Sequence, residues 1–205
     1  MPSFALSWLI PRLGSLKERH PELEVRISIS AHLTDFGRED VDVAIRFGQG
    51  VYPGLRSDLL MEEHFFPVCS AALLGNPQRP LREPSDLRHH TLLHEAAESI
   101  PGYITWPRWL AMAGVDGVDS AQGPRFSHTF LALQAAASGQ GVALATSVLI
   151  GDYQDAGRLV RPFPHQVRSP YQYYLVCPEA SAERPAIAAF RNWIRNEAKA
   201  HNERH

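Results

Sequence analysis

The chain of 205 residues predicts an α/β fold, and three observations carry that prediction. Apolar residues recur at helical spacing in some stretches and alternate one-in-two in others, and the two patterns take turns along the chain. Glycine and proline clusters punctuate the changes from one to the other. The composition, 44% hydrophobic and 20% charged, is that of a globular chain able to bury one large core or two small ones. Strands alternating with helices imply parallel sheets covered by helices.

The elements follow in order. Leu6, Leu9, Leu13 and Leu16 mark an amphipathic helix over roughly 4–20, with Ser3 as its N-cap. Lys17, Arg19 and His20 suit its C-terminal end. Pro11 cannot donate to the Ser7 carbonyl, so a kink is expected there, and Pro21 closes the helix. "ELEVRISIS" alternates cleanly, with Leu23, Val25, Ile27 and Ile29 on one side, and predicts a strand. "DFGRED" reads as a turn or short helix. Val41–Phe47 is the next strand, and Gly48 and Gly50 let the backbone turn sharply after it. Strands follow at 59–62 and 64–69, then a proline-rich stretch over 73–86 and a short strand at 92–94. "WPRWLAMAG" is a helix closed by Gly114. The spacing then predicts a strand at 124–127, a helix at 130–138, a strand at 142–146 and a helix at 148–155. "RLVRPF" and "YQYYLVC" are strand-like, and a last helix spans about 182–199 with Ile187, Phe190 and Ile194 on its buried face.

Bulk properties exclude several functions. Net charge is -2 and the pI near 6.5, without the basic stripe that a self-sufficient DNA-binding domain carries. No apolar run approaches the ~20 residues that span a bilayer, and the N-terminus lacks a signal peptide's pattern, so no membrane partner and a cytoplasmic location are expected. His90 and His94 stand four apart, but in a turn and a strand rather than on one helical face, so no metal is expected. No G-x-S-x-G elbow and no phosphate-loop lysine occurs. "SGQGVA" instead ends a helix and enters a strand. The sequence calls for no cofactor and no catalytic residue, hence no enzyme. Cys69 and Cys177 read as two small buried thiols, with a redox-sensitive bridge between them as the sharper alternative.

The blocks "FALSWLIPRLGSLKERHPELEVRIS", "VDVAIRFGQG", "PVCSAALL", "WLAMAG", "LALQAAASGQGVALA", "GRLVRPF" and "FRNWIRNEA", in that order, resemble the effector-binding region of LysR-type transcriptional regulators. The subgroup resembled contains the glycine-cleavage and β-lactamase-inducer regulators. The resemblance implies two Rossmann-like subdomains of the periplasmic-binding-protein type II kind, joined by two crossing strands. Subdomain I would take 1–68 plus 177–205 and subdomain II 69–176. Relatives carry a winged helix-turn-helix, a linker helix and a first strand ahead of "PSFA". DNA would therefore be bound only through an upstream domain, and the chain would assemble as a homodimer or homotetramer. The function implied is sensing of a small polar effector between two lobes. The alternative is a stand-alone solute-binding protein of the same architecture.

Candidate effector-binding residues come mainly from that resemblance: Ser3 and Phe4, Ser30, Ala31 and His32, Ser127, His128 and Thr129, and Tyr171. The residues alone read Ser3 and Ser127–Thr129 as ordinary N-caps, each worth ~1 kcal/mol to its own helix. Arg46 is a further candidate for a ligand carboxylate, although a strand arginine more often pairs with an internal acid.

Overall fold

The computed structural model describes residues 2–30, 32–97 and 100–203. Ala31 therefore lies outside the described residues. The chain divides into two compact units, Met1–Glu62 with Pro170–His205, and Glu63–Ser169. The chain changes unit after Glu62 and after Ser169, ahead of the expected 68 and 176. Ladder pairing explains the difference. Phe65–Val68 pair with residues of the second unit, whereas Gln172–Val176 pair with residues of the first.

In the first unit a helical path opens with α1 (Pro2–Phe4). It widens over Ala5–Leu9, where the Ile10 amide reaches back five residues to the Ala5 carbonyl, and tightens over Ile10–Arg12. It continues as α2 (Leu13–Arg19), with Lys17 and Arg19 in the last turn. This change of helical winding brackets Pro11, as the missing amide demands. Arg12 Nη1 donates to the Trp8 carbonyl at 2.8 Å within this turn. Ser3 is a correction: it sits inside α1 and is buried, with Pro2 at the start of the helix, rather than capping it.

A three-stranded antiparallel sheet follows, ordered β1 (Ala44–Gly48), β8 (Gln172–Pro178), β2 (Leu55–Met61). The expected strand at 23–29 does not form. Val25, Ile27 and Ile29 are exposed, and no ladder reaches this segment among the described residues. Alternation provides the side chains of a strand, but a strand without a hydrogen-bonded neighbour has nothing to hold its backbone. The closing helix of the chain, Pro185–Asn202, packs on β2 and is pinned by Arg191, which grips Asp58 Oδ2 through Nε at 3.0 Å and Nη2 at 2.9 Å. Trp193 Nε1 donates to Ser15 Oγ at 2.9 Å, tying that helix to α2.

Among the described residues the second unit holds a five-stranded sheet, ordered β5 (Arg125–Phe126), β4 (Leu92–Glu95), β6 (Val142–Thr146), β3 (His64–Val68), β7 (Val167–Arg168). β5, β4 and β6 run parallel, whereas β3 runs antiparallel to β6 and β7. The expectation of parallel sheets is thus met on one half of one sheet. Its helices are α3 (Ala71–Leu74), α4 (Trp106–Met112), α5 (Thr129–Ala137) and α6 (Gly151–Asp155), followed in chain order by α7, the Pro185–Asn202 helix of the first unit. "RLVRPF" contributes a single bridge, Val160 to Cys69, instead of a strand. Two indoles anchor α4 to the sheet: Trp106 Nε1 donates to Leu93 O at 3.0 Å and Trp109 Nε1 to Phe65 O at 3.1 Å. Gly123 and Gly141 flank β4, where a Cβ would lie 1.9 Å from the Leu92 carbonyl and 2.3 Å from that of Thr91. Only glycine admits so close an approach.

Candidate functional site

The second unit carries the best-defined polar constellation. Gly123 and the short β5 lead the chain to His128, whose extended backbone starts α5 without a side-chain cap. Thr129 opens the helix, is buried, and its Oγ1 donates to Glu95 Oε2 at 2.7 Å. Glu95 ends β4 and is half-buried. The same carboxylate oxygen accepts the Tyr103 hydroxyl at 2.5 Å. Burial first, and then the Glu95 charge, push the Tyr103 phenol well above its ordinary range, so it remains a donor at all neutral pH values. Its ring sits edge-on to Phe65.

Beside this group lies a second carboxyl. Glu63 is fully buried, and its Oε1 accepts the Ser147 hydroxyl at 2.8 Å and the Val148 amide at 3.1 Å. Its Oε2 has no hydrogen-bond partner among the described residues. Desolvation dominates and raises the pKa from 4.5 to about 7, against the lowering effect of the donors on Ser147, Val148, Thr146 and His64. The antiparallel register of β3 on β6 is what sets Glu63 against Ser147.

The remaining predicted residues fall into smaller groups. Ser127 and His128 Nδ1 are 2.8 Å apart in a hydrogen bond on the exposed lead-in to α5. In the first unit, Phe4 stacks on Trp8 and on Tyr173. Tyr173 meets Phe47, and Phe47 meets Tyr171 edge-on, so an aromatic row links Phe4 with Tyr171. Ser30 Oγ bonds His32 Nδ1 at 2.8 Å, and His32 Nε2 lies 3.4 Å from Glu39. Arg46 departs from the internal-acid expectation: it donates to the Thr34 carbonyl and lies over the Tyr52 ring. Of the metal-spaced histidines, His94 bonds the Gln122 carbonyl and His90 that of Pro80. Cys69 and Cys177 are both free and buried.

Glu95, Tyr103 and Glu63 escaped the sequence reading. For Glu63 a signal existed: Met61, Glu63 and Phe65 share parity, and all three are buried while Glu62 is exposed.

A family profile for the LysR substrate binding domain matches residues 1–199, and the chain belongs to that family. The glycine cleavage system transcriptional activator of Escherichia coli (strain K12) is 44% identical over 204 residues, all of this chain and 65% of its own length. The HTH-type transcriptional activator AmpR of Rhodobacter capsulatus is 35% identical over 194 residues, 94% of this chain and 63% of its own. The chain thus spans just under two thirds of the length of these curated relatives. Among solved structures, the effector domain of AmpR of Pseudomonas aeruginosa superposes with a TM-score of 0.77 at 29% identity, covering 98% of this chain and 94% of that one. The mixed α/β fold with two sheets is therefore that of LysR effector domains.

Proposed function

We propose that this chain is the ligand-sensing part of a LysR-type transcriptional regulator. It binds a small polar effector and thereby controls the DNA-binding activity of an upstream domain. The single observation that carries this reading is the Thr129–Glu95–Tyr103 constellation, a half-buried carboxylate oriented by two hydroxyls at the start of α5, in a chain that matches the family from end to end. Ser3, Phe4, Ser30, Ala31, His32, Ser127, His128, Thr129 and Tyr171 are the proposed effector contacts. The proposed assembly is a homodimer or homotetramer working in the cytoplasm, and the relatives being regulators supports a role without turnover.

A ligand can shift such a regulator only by its differential affinity for two conformations. Thermal-shift screening of a metabolite panel tests the reading. A true effector at one hundred times its dissociation constant should stabilise the chain by about 2.7 kcal/mol. In the full-length regulator the same compound should change operator affinity. A complete panel that leaves the melting temperature unmoved would count against sensing. Hydrolysis of model esters or amides would replace it with an enzyme.

A further inference from the structure

The start of a helix ordinarily attracts an anion, because its first amides are unpaired and its dipole is positive there. At α5 that position already has one. Glu95 closes β4 directly beside Thr129 and holds its Oε2 against two hydroxyls, those of Thr129 at 2.7 Å and Tyr103 at 2.5 Å. Both donors are spent on the same oxygen. Oε1 has no hydrogen-bond partner among the described residues, and Glu95 is half-buried rather than sealed. No lysine, arginine or histidine nitrogen stands within 4.0 Å of this carboxylate among the described residues. The charge of a second carboxyl, Glu63, also bears on the Tyr103 hydroxyl.

An anionic ligand group brought to the α5 start would meet the Glu95 charge at close range, with no cation to offset it. A cationic or N–H-bearing group would meet an acceptor already aimed and held. We propose that, resting on the ligand-sensing reading above, the second unit selects effectors presenting an ammonium or other N–H donor to Glu95 Oε1, with Tyr103 and Thr129 as positioning residues. Unlike a surface glutamate, this one is pre-oriented, so little side-chain freedom is lost when the donor arrives. The buried Tyr103 hydroxyl stays protonated and so keeps donating to Glu95.

The experiment uses the whole chain, 15N-labelled, with two probes at equal ionic strength: ethylammonium chloride and sodium acetate. Backbone amides of Ala96, Ala97 and Thr129 are followed. Ethylammonium should move them saturably and acetate should not. Glu95→Gln keeps an oxygen for both hydroxyls and removes only the charge, so its melting temperature should be preserved while ethylammonium affinity falls about tenfold or more. Tyr103→Phe should weaken binding less. Acetate acting on these amides, equal responses to both salts, or no response to ethylammonium each overturns the proposal. Should Glu95→Gln fail to fold, the unsubstituted chain alone decides between the two salts. A metabolite screen whose tight ligands all lack an N–H donor would also sink this inference while leaving ligand sensing intact; a screen without ligands would sink the sensing itself.

Discussion

Two buried ionisable groups, one in each unit, solve the same problem in opposite ways. Arg191 in α7 is 5% exposed and grips Asp58 with two nitrogens, while its third contact, Nη1, donates to the Ala182 carbonyl at 2.9 Å. Glu63, also buried, has hydroxyl and amide donors on one oxygen and, among the described residues, nothing on the other. The first group has a carboxylate partner, one oxygen of which takes two of its N–H donors. The second lacks a counter-ion, and burial moves its pKa instead. A paired charge pins a scaffold; an unpaired carboxyl makes the scaffold answer to protons.

Breaking the pair should give the largest effect. Asp58→Ala leaves the buried Arg191 guanidinium with only the exposed Glu183 carboxylate, 3.6 Å from Nη1, as a counter-charge, and urea unfolding should show a loss of about 3–5 kcal/mol. Replacing Asp58 and Arg191 together by apolar residues of similar volume should recover most of it. If the single and double variants were equally unstable, packing rather than charge would be what Arg191 contributes.

Glu63→Gln sharpens the other side of the comparison. The folded pKa of about 7 lies above the ordinary 4.5, so the carboxyl is neutral in both states below pH 4.5 and stability is then greatest. As pH rises from 4.5 to 7 the unfolded chain ionises first and stability falls, levelling off above 7. The glutamine variant should lack this slope, matching the parent near pH 4 and exceeding it by about 3 kcal/mol at pH 8. Urea titrations at the two pH values measure it, and an unchanged slope would place the titrating group elsewhere.

The smallest expected effect is at Thr129→Val, which removes one donor from a half-buried carboxylate that keeps another. A loss of about 1 kcal/mol is expected, with the Tyr103 phenol titrating differently because it becomes the sole donor to Glu95 Oε2. Ultraviolet titration of the tyrosines reads the second effect separately from stability.

Local pattern alone placed several elements well. The strand at 142–146 forms over those residues, and α5 begins one residue ahead of the expected 130. "SGQGVA" does end a helix and open a strand, with Gly139 in the left-handed region. Failures cluster where a second strand had to decide. "ELEVRISIS" has the cleanest alternation in the chain and makes no ladder among the described residues, while "RLVRPF" is reduced to one bridge. Parallel pairing was inferred from the order of elements, yet β1, β2, β3, β7 and β8 are antiparallel to their neighbours. Of the site, Thr129 was legible as a hydroxyl at a helix start. That its hydroxyl serves Glu95 rather than its own helix was not, because residues 95, 103 and 129 meet only through β4, β5 and the turn before α4.

The sequence by itself determined roughly where α4, α5 and α7 lie, which residues are apolar enough to be buried, and the family to which the chain belongs. These depend on neighbours a few residues away or on blocks in order. Only the tertiary structure decided strand direction, the partner of each buried charge and the protonation of Glu63. Each of those depends on groups brought together from distant positions, and on how much water the packing leaves between them.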